Sequence, residues 1–207
     1  MIKTVIFDFA GTLAYFDKSD LKGFFGALAG FGFKVKGERE AEYLLDFLPS
    51  LFSKANSWIG FAGMLAEEFG VALAAGKKEE LARYLEKKLS FSLFGDAQKI
   101  LDLPQKKAIL TLASRFLVEH IDALKRFDIF TPKEIRYEKP DTRAFKEVLK
   151  RMKTVPQEAM MVGDNIENDI KPALALGMKA VLVDRQGKVR DNSIIKIASL
   201  KELKQYL

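Results

Sequence analysis

The chain has 207 residues, 48% of them hydrophobic, enough to bury the core of one α/β domain with a large insertion or of two small domains. It contains no cysteine, which excludes disulfide scaffolds and thiolate metal sites, and its single histidine, His120, excludes histidine-rich ones. The formal charge of +6 is compatible with an anionic partner, but the basic residues are mixed with acids, as in Lys77-Lys78-Glu79-Glu80, a pattern of solvated helix faces.

At the N-terminus, Ile2, Val5, Ile6 and Phe7 form an apolar, partly β-branched run that reads as a strand, broken by Asp8 and Gly11. This stretch carries neither a charged leader nor a small-residue cleavage pattern, so a cytoplasmic protein is expected. From about residue 14 to about 104 the rhythm is helical throughout. Phe24, Phe25 and Leu28 recur at helical spacing, then Tyr43, Leu44, Phe47, Leu48 and Leu51, then Leu81, Tyr84, Leu85 and Leu89. Gly30, Gly60, Gly70 and Gly76 punctuate these segments.

From Lys106 onward strands alternate with helices. Residues 108–112 read as a strand, followed by an amphipathic helix through Leu117, Ile121 and Leu124. A helix over 141–152 is N-capped by Asp141. Residues 159–163 form a buried strand, a helix carries Ile166, Ile170 and Leu174, residues 179–183 form another strand, and a short helix closes the chain over 200–207. This alternation predicts an α/β fold, a doubly wound Rossmann-like parallel sheet, built from residues 1–13 and 105–207. Residues 14–104 form an all-helical insert after the first strand. No apolar run approaches the roughly 20 residues that cross a bilayer. No basic run is interleaved with aromatic residues as a nucleic-acid surface requires. Neither a membrane nor a nucleic-acid partner is therefore expected.

In open parallel sheets, ligands bind outside the carboxyl ends of the strands. Asp8 ends the first strand, Thr111 lies at the end of the second, and Asp164 follows the strand over 159–163. Lys139 lies in the loop before the helix that precedes that strand. Two carboxylates, a hydroxyl and an ammonium group suit phosphoryl transfer. A carboxylate can act as nucleophile, Mg2+ takes carboxylate and carbonyl oxygens, and lysine and hydroxyl groups stabilise charge on the transferring group.

The run Asp8-Phe9-Ala10-Gly11-Thr12 resembles the nucleophile motif of the haloacid dehalogenase superfamily. Thr111 after Ala108-Ile109-Leu110 resembles its second motif, Lys139-Pro140-Asp141 its third, and Val162-Gly163-Asp164-Asn165-Ile166-Glu167-Asn168-Asp169 its fourth. The four occur in the family's order, and the helical insert sits where that family places a cap. The resemblance implies Asp8 as nucleophile and Mg2+ held by Asp8, the backbone carbonyl of Ala10 and Asp164, with Asp169 in support. It implies that Gly11, Thr12, Thr111 and Lys139 bind the phosphoryl group of a small phosphorylated substrate. The intact Gly163-Asp164 and Asp169 speak for Mg2+ chemistry over dehalogenation.

One position departs from the pattern. Where family phosphatases carry a second aspartate that protonates the leaving group, this chain has Ala10. Acid–base help of that kind is worth around 10² to 10⁴ in rate. The carbonyl expected to bind metal is retained. One reading is a phosphatase restricted to good leaving groups or borrowing an acid from the insert, where Asp17 and Asp20 are nearest in sequence. Another follows from the similarity of Asp-x-Ala-Gly-Thr to phosphonoacetaldehyde hydrolases, in which a lysine forms a Schiff base. Lys54, among Leu51, Phe52, Ala55 and Trp58, is the most apolar-flanked lysine of the insert, although such lysines commonly snorkel from a helix. A third reading is a relative that binds phosphate without turnover. Trp58 and the phenylalanines of the insert read as its core.

Overall fold

The computed structural model describes residues 1–16, 21–34 and 38–207; Asp17 and Asp20 lie outside the described residues. The chain forms two units: an α/β unit of Met1–Tyr15, Leu93–Leu112 and Ile121–Leu207, and a helical unit of Phe16–Ser92 and Ala113–His120. In chain order, β1 (Thr4–Phe7) and β2 (Ala14–Tyr15) are followed by α1 (Leu21–Ala29), α2 (Glu38–Lys54), α3 (Trp58–Glu68) and α4 (Lys77–Leu89). Next come β3 (Ser92–Leu93), β4 (Lys106–Leu110), α5 (Arg115–Glu119), β5 (Asp128–Phe130), α6 (Pro132–Ile135) and α7 (Thr142–Arg151). The chain ends with β6 (Ala159–Gly163), α8 (Lys171–Ala175), β7 (Lys179–Val183), β8 (Lys196–Ile197) and a 3₁₀ turn over Leu200–Tyr206. Among the described residues, no helix is long and apolar enough to cross a membrane.

The six-stranded sheet has the order β5-β4-β1-β6-β7-β8, and every pairing is parallel. All residues of β1 and β6 are buried, as central strands covered on both faces must be. On one face, Ile6, Ala108, Met161 and Ala180 pack with Phe145 and Val148 of α7 and Ala173 of α8. The helix α7 turns Ala144, Phe145, Val148 and Leu149 inward, and its cap Asp141 accepts the Arg143 amide at 2.8 Å. Phe145 is fully buried, and burial of such a side chain contributes about 1.5–3 kcal/mol. The chain runs outward from β1 to β4 and β5, then returns to place β6 on the other side of β1. This reversal opens a crevice at the carboxyl ends of β1 and β6.

The helical unit buries the stripe Leu44, Leu48 and Leu51 of α2 and, from α3, Trp58, Phe61 and Leu65. Ser57 caps α3 by accepting the Gly60 amide at 3.0 Å. The α4 helix places Glu79 and Glu80 in its first turn and Lys87 and Lys88 in its last, matching the helix dipole. Trp58 meets Phe61 at 5.5 Å and Phe116 edge-on at 5.5 Å, so it is a packing residue of this unit.

Several elements differ from the sequence pattern. The helix expected through Leu117, Ile121 and Leu124 is interrupted at Ile121, which adopts an extended conformation before a 3₁₀ turn over Asp122–Leu124. Its two parts serve different units: α5 packs with the helical unit, where the Ser114 amide donates to the Phe52 carbonyl at 2.7 Å, whereas Leu124 is buried in the α/β unit. The helix expected through Ile166, Ile170 and Leu174 begins as a π-helical turn over Ile166–Ile170. It continues as α8 with Pro172 in its first turn, and Leu174 is exposed.

Candidate active site

Asp8 is the residue after β1. Because Phe7 is in register with Val162, Asp8 falls beside the end of β6, and its amide donates to the Val162 carbonyl at 2.9 Å. The chain then folds back sharply. The amides of Leu13 and Ala14 both donate to the Phe9 carbonyl at 2.9 Å, and the Gly11 amide donates to the Ala14 carbonyl at 2.8 Å. Ala10 is exposed in this turn and adds no titratable group.

Gly11 has a φ of +90°, and a Cβ built there would lie 2.1 Å from Asp164 Oδ2. Glycine is thus required twice, once for the backbone and once for the approach of the carboxylate. Gly163 shows the same logic on the other strand: a Cβ there would lie 2.3 Å from Asp169 Oδ2. Thr12 is fully buried, and its hydroxyl donates to Asp164 Oδ1 at 3.4 Å.

Lys139, in the loop before α7, is buried and donates from Nζ to Asp8 Oδ1 and to Asp169 Oδ1, both at 2.6 Å. The second Asp169 oxygen accepts the Asn165 amide at 3.1 Å. Asp169 therefore engages both oxygens in holding Lys139 and the loop that follows β6. Asp8, Asp164 and Asp169 each offer a carboxylate oxygen within 4.8 Å of the others. Thr111 is buried one residue beyond β4, the neighbour of β1, and its amide donates to the Phe130 carbonyl at 3.1 Å.

Three carboxylates against one ammonium leave an excess of two negative charges. Burial, with the Asp8 charge added, pushes the Asp164 carboxyl up to about 6, although Asp164 as a residue stays open to solvent. Burial also pushes Asp169 up to about 6, against the pull of Lys139. Burial alone would lower the Lys139 pKa, but the Asp8 and Asp169 charges hold it above the ordinary lysine value. A hard divalent cation with oxygen ligands would relieve this excess, so the donor set fits Mg2+.

The residues expected at the site thus fall into two groups. Asp8, Gly11, Thr12, Lys139, Asp164 and Asp169 are brought together, with Thr111 at the adjoining strand end. Lys54 closes α2 in the helical unit and is exposed there. Sequence reading missed Arg185, whose guanidinium reaches the Gly11 turn, and Asp96, the carboxylate that this guanidinium pairs with. Arg185 stands just past the end of β7, the strand-end position that marked the other site residues.

The fold is thus a parallel α/β sheet with a carboxylate cluster around a buried lysine at its switch point. Residues 2–177 match the family of haloacid dehalogenase-like hydrolases, and the chain belongs to that family. A glyceraldehyde 3-phosphate phosphatase of Methanothermobacter thermautotrophicus is 39% identical over 59 residues, 28% of this chain and 26% of that protein. A phosphoserine phosphatase of Thermus thermophilus is 36% identical over 73 residues, 34% of this chain and 29% of that protein. These matches span less than a third of either relative's length. Among solved structures, a haloacid dehalogenase-type phosphatase of Thermococcus onnurineus superposes with a TM-score of 0.68 at 24% identity, covering 99% of this chain and 97% of that one. A 2-haloacid dehalogenase of Pseudomonas syringae superposes with a TM-score of 0.65 at 23% identity, covering 99% and 97%. At these identities the superpositions establish the fold.

Proposed function

We propose that the chain is a Mg2+-dependent phosphatase acting on a small phosphorylated metabolite through an aspartyl-phosphate on Asp8. The observation that carries this reading is the buried Lys139 bridging Asp8 and Asp169 beside Asp164 at the sheet's switch point. Both named relatives above are phosphatases, and no helix spans a membrane among the described residues. Mg2+ would be held by the Asp8 and Asp164 carboxylates and the Ala10 carbonyl, with Asp169 in support, and would supply the positive charge that lets an anionic substrate meet an anionic nucleophile.

Asp8 forms its O–P bond as the bond to the leaving oxygen breaks, and water later cleaves the acyl phosphate to restore the carboxylate. Lys139 fixes Asp8 and offers positive charge to the transferring oxygens, and the Thr111 hydroxyl, at the adjoining strand end, would bind them too. Position 10 supplies no proton to the leaving group. Substrates whose leaving oxygen departs unprotonated, such as acyl phosphates, are therefore expected to turn over faster than alkyl phosphomonoesters.

The test is phosphate release from a panel of phosphate esters and acetyl phosphate, with Mg2+ and with chelator. Turnover by the chain that disappears in Asp8→Asn supports the reading. The Ala10→Asp variant is expected to raise alkyl phosphomonoester turnover by about 10² to 10⁴. Mg2+ and phosphate binding without turnover on any substrate would favour a binding role, the reading that Ala10 itself suggests. Carbon–phosphorus cleavage would instead require a Schiff base on Lys54, an exposed residue of the helical unit.

A further inference from the structure

The α/β unit holds a second ion pair whose partners stand 89 residues apart in sequence. Arg185, just after β7, donates from Nη1 to Asp96 Oδ2 at 2.7 Å and from Nη2 to Asp96 Oδ1 at 3.0 Å. The same guanidinium donates from Nη2 to the Thr12 carbonyl at 2.8 Å and from Nε, at the longer distance of 3.4 Å, to the Gly11 carbonyl. It lies 3.8 Å from the centroid of the Phe94 ring. Asp96 Oδ2 also accepts the Ser199 hydroxyl at 2.8 Å and the Leu200 amide at 2.9 Å. Burial alone would raise this carboxyl, but hydrogen bonds from Arg185, Leu200 and Ser199 hold it below the usual carboxylate value. The Phe94 amide donates to the Leu13 carbonyl at 3.0 Å, tying the same segment to the far end of the turn.

The carbonyls that Arg185 grips belong to the turn that places Ala10, Gly11 and Thr12. That turn contains the left-handed Gly11, whose backbone has more freedom than any other residue would have there. A displacement of a few tenths of an ångström would change the contact between Gly11 and the Asp164 carboxylate and the bond from Thr12. A planar fork can hold the carboxylate through Nη1 and Nη2 and two successive carbonyls through Nη2 and Nε; a lysine offers one compact charge. We infer that Arg185, fixed by Asp96 and Phe94, is a positioning residue for phosphoryl transfer, holding the Gly11–Thr12 turn so that the Ala10 carbonyl and the Asp164 carboxylate keep their places around the metal. This inference rests on the proposed phosphatase site.

The experiment compares the full chain with Arg185→Lys and Asp96→Asn in three measurements: Mg2+ affinity by calorimetry, steady-state kinetics, and thermal melting in chelator. Arg185→Lys is expected to weaken Mg2+ binding and lower kcat by about 10- to 100-fold, the usual scale for groups that orient metal ligands, with KM nearly unchanged. Asp96→Asn keeps acceptors for Ser199 and Leu200 and is expected to shift both in the same direction by less. If Arg185→Lys does not fold, Asp96→Asn carries the test alone. Unchanged Mg2+ affinity and kcat in the folded variants, whatever happens to their melting temperatures, would reduce Arg185 to a structural role and overturn the inference. A wild-type chain that binds no Mg2+ would fail the site reading first and the inference with it.

Discussion

Two ion systems border the Gly11 turn, and they are built on opposite terms. Arg185 and Asp96 match charge for charge, and the remaining acceptor capacity of Asp96 is filled by Ser199 and Leu200. Lys139 faces two carboxylates directly and a third nearby, so its surroundings stay over-negative. The satisfied pair is complete without a ligand. The unsatisfied cluster holds an excess of negative charge that protons or a bound cation would relieve, an imbalance that functional sites share.

Removing one cation from each system breaks the comparison most sharply. Lys139→Met leaves Asp8 and Asp169 buried without their ammonium and is expected to destabilise the metal-free chain by about 3–5 kcal/mol. It should also lower turnover by about 10² to 10³. Arg185→Met leaves Asp96 with its Ser199 and Leu200 partners, so a smaller loss of about 1–3 kcal/mol is expected. Urea denaturation in chelator ranks the two; equal losses would mean that the Lys139 cluster carries no special strain.

The turn between the systems gives the next effect. Gly11→Ala must accept a left-handed backbone and a Cβ on top of the Asp164 carboxylate. A loss of about 1–3 kcal/mol is expected from the backbone, together with weaker Mg2+ binding measured by calorimetry. Retention of full affinity would show that Asp164 can move aside without consequence.

The last effect is on pH. In the metal-free folded chain Asp164 and Asp169 keep their protons to about 6, whereas an unfolded chain releases them near pH 4. The folded state binds more protons in that window, so its stability falls as pH rises from about 4 to about 6. Thermal melts in chelator should show this fall, flattened in Asp164→Asn. Added Mg2+ should restore stability near pH 7 and do little near pH 5, where protons compete.

The two systems were not equally legible in the sequence. Asp8 and Asp164 each close an apolar run that can only be a buried strand, so strand ends and chemistry coincide. Lys139 was readable as a loop lysine ahead of the helix capped by Asp141, whereas Asp169 entered only through the resemblance to the haloacid dehalogenase family. Arg185 and Asp96 look like ordinary loop charges, and nothing local predicts a pairing across 89 residues. The same limit hid β5 and β8, of three and two residues, which owe their strand conformation to the neighbours β4 and β7. The break at Ile121 was hidden too, because a single apolar periodicity serves two units there.

The most direct measurement is acid quenching of the chain during turnover of acetyl phosphate, followed by mapping of the phosphorylated peptide. The account predicts a Mg2+-dependent, hydroxylamine-labile phosphoryl group on the peptide containing Asp8, absent in Asp8→Asn. Phosphate release that continues in Asp8→Asn, or a phosphoryl group on any other residue, would contradict it.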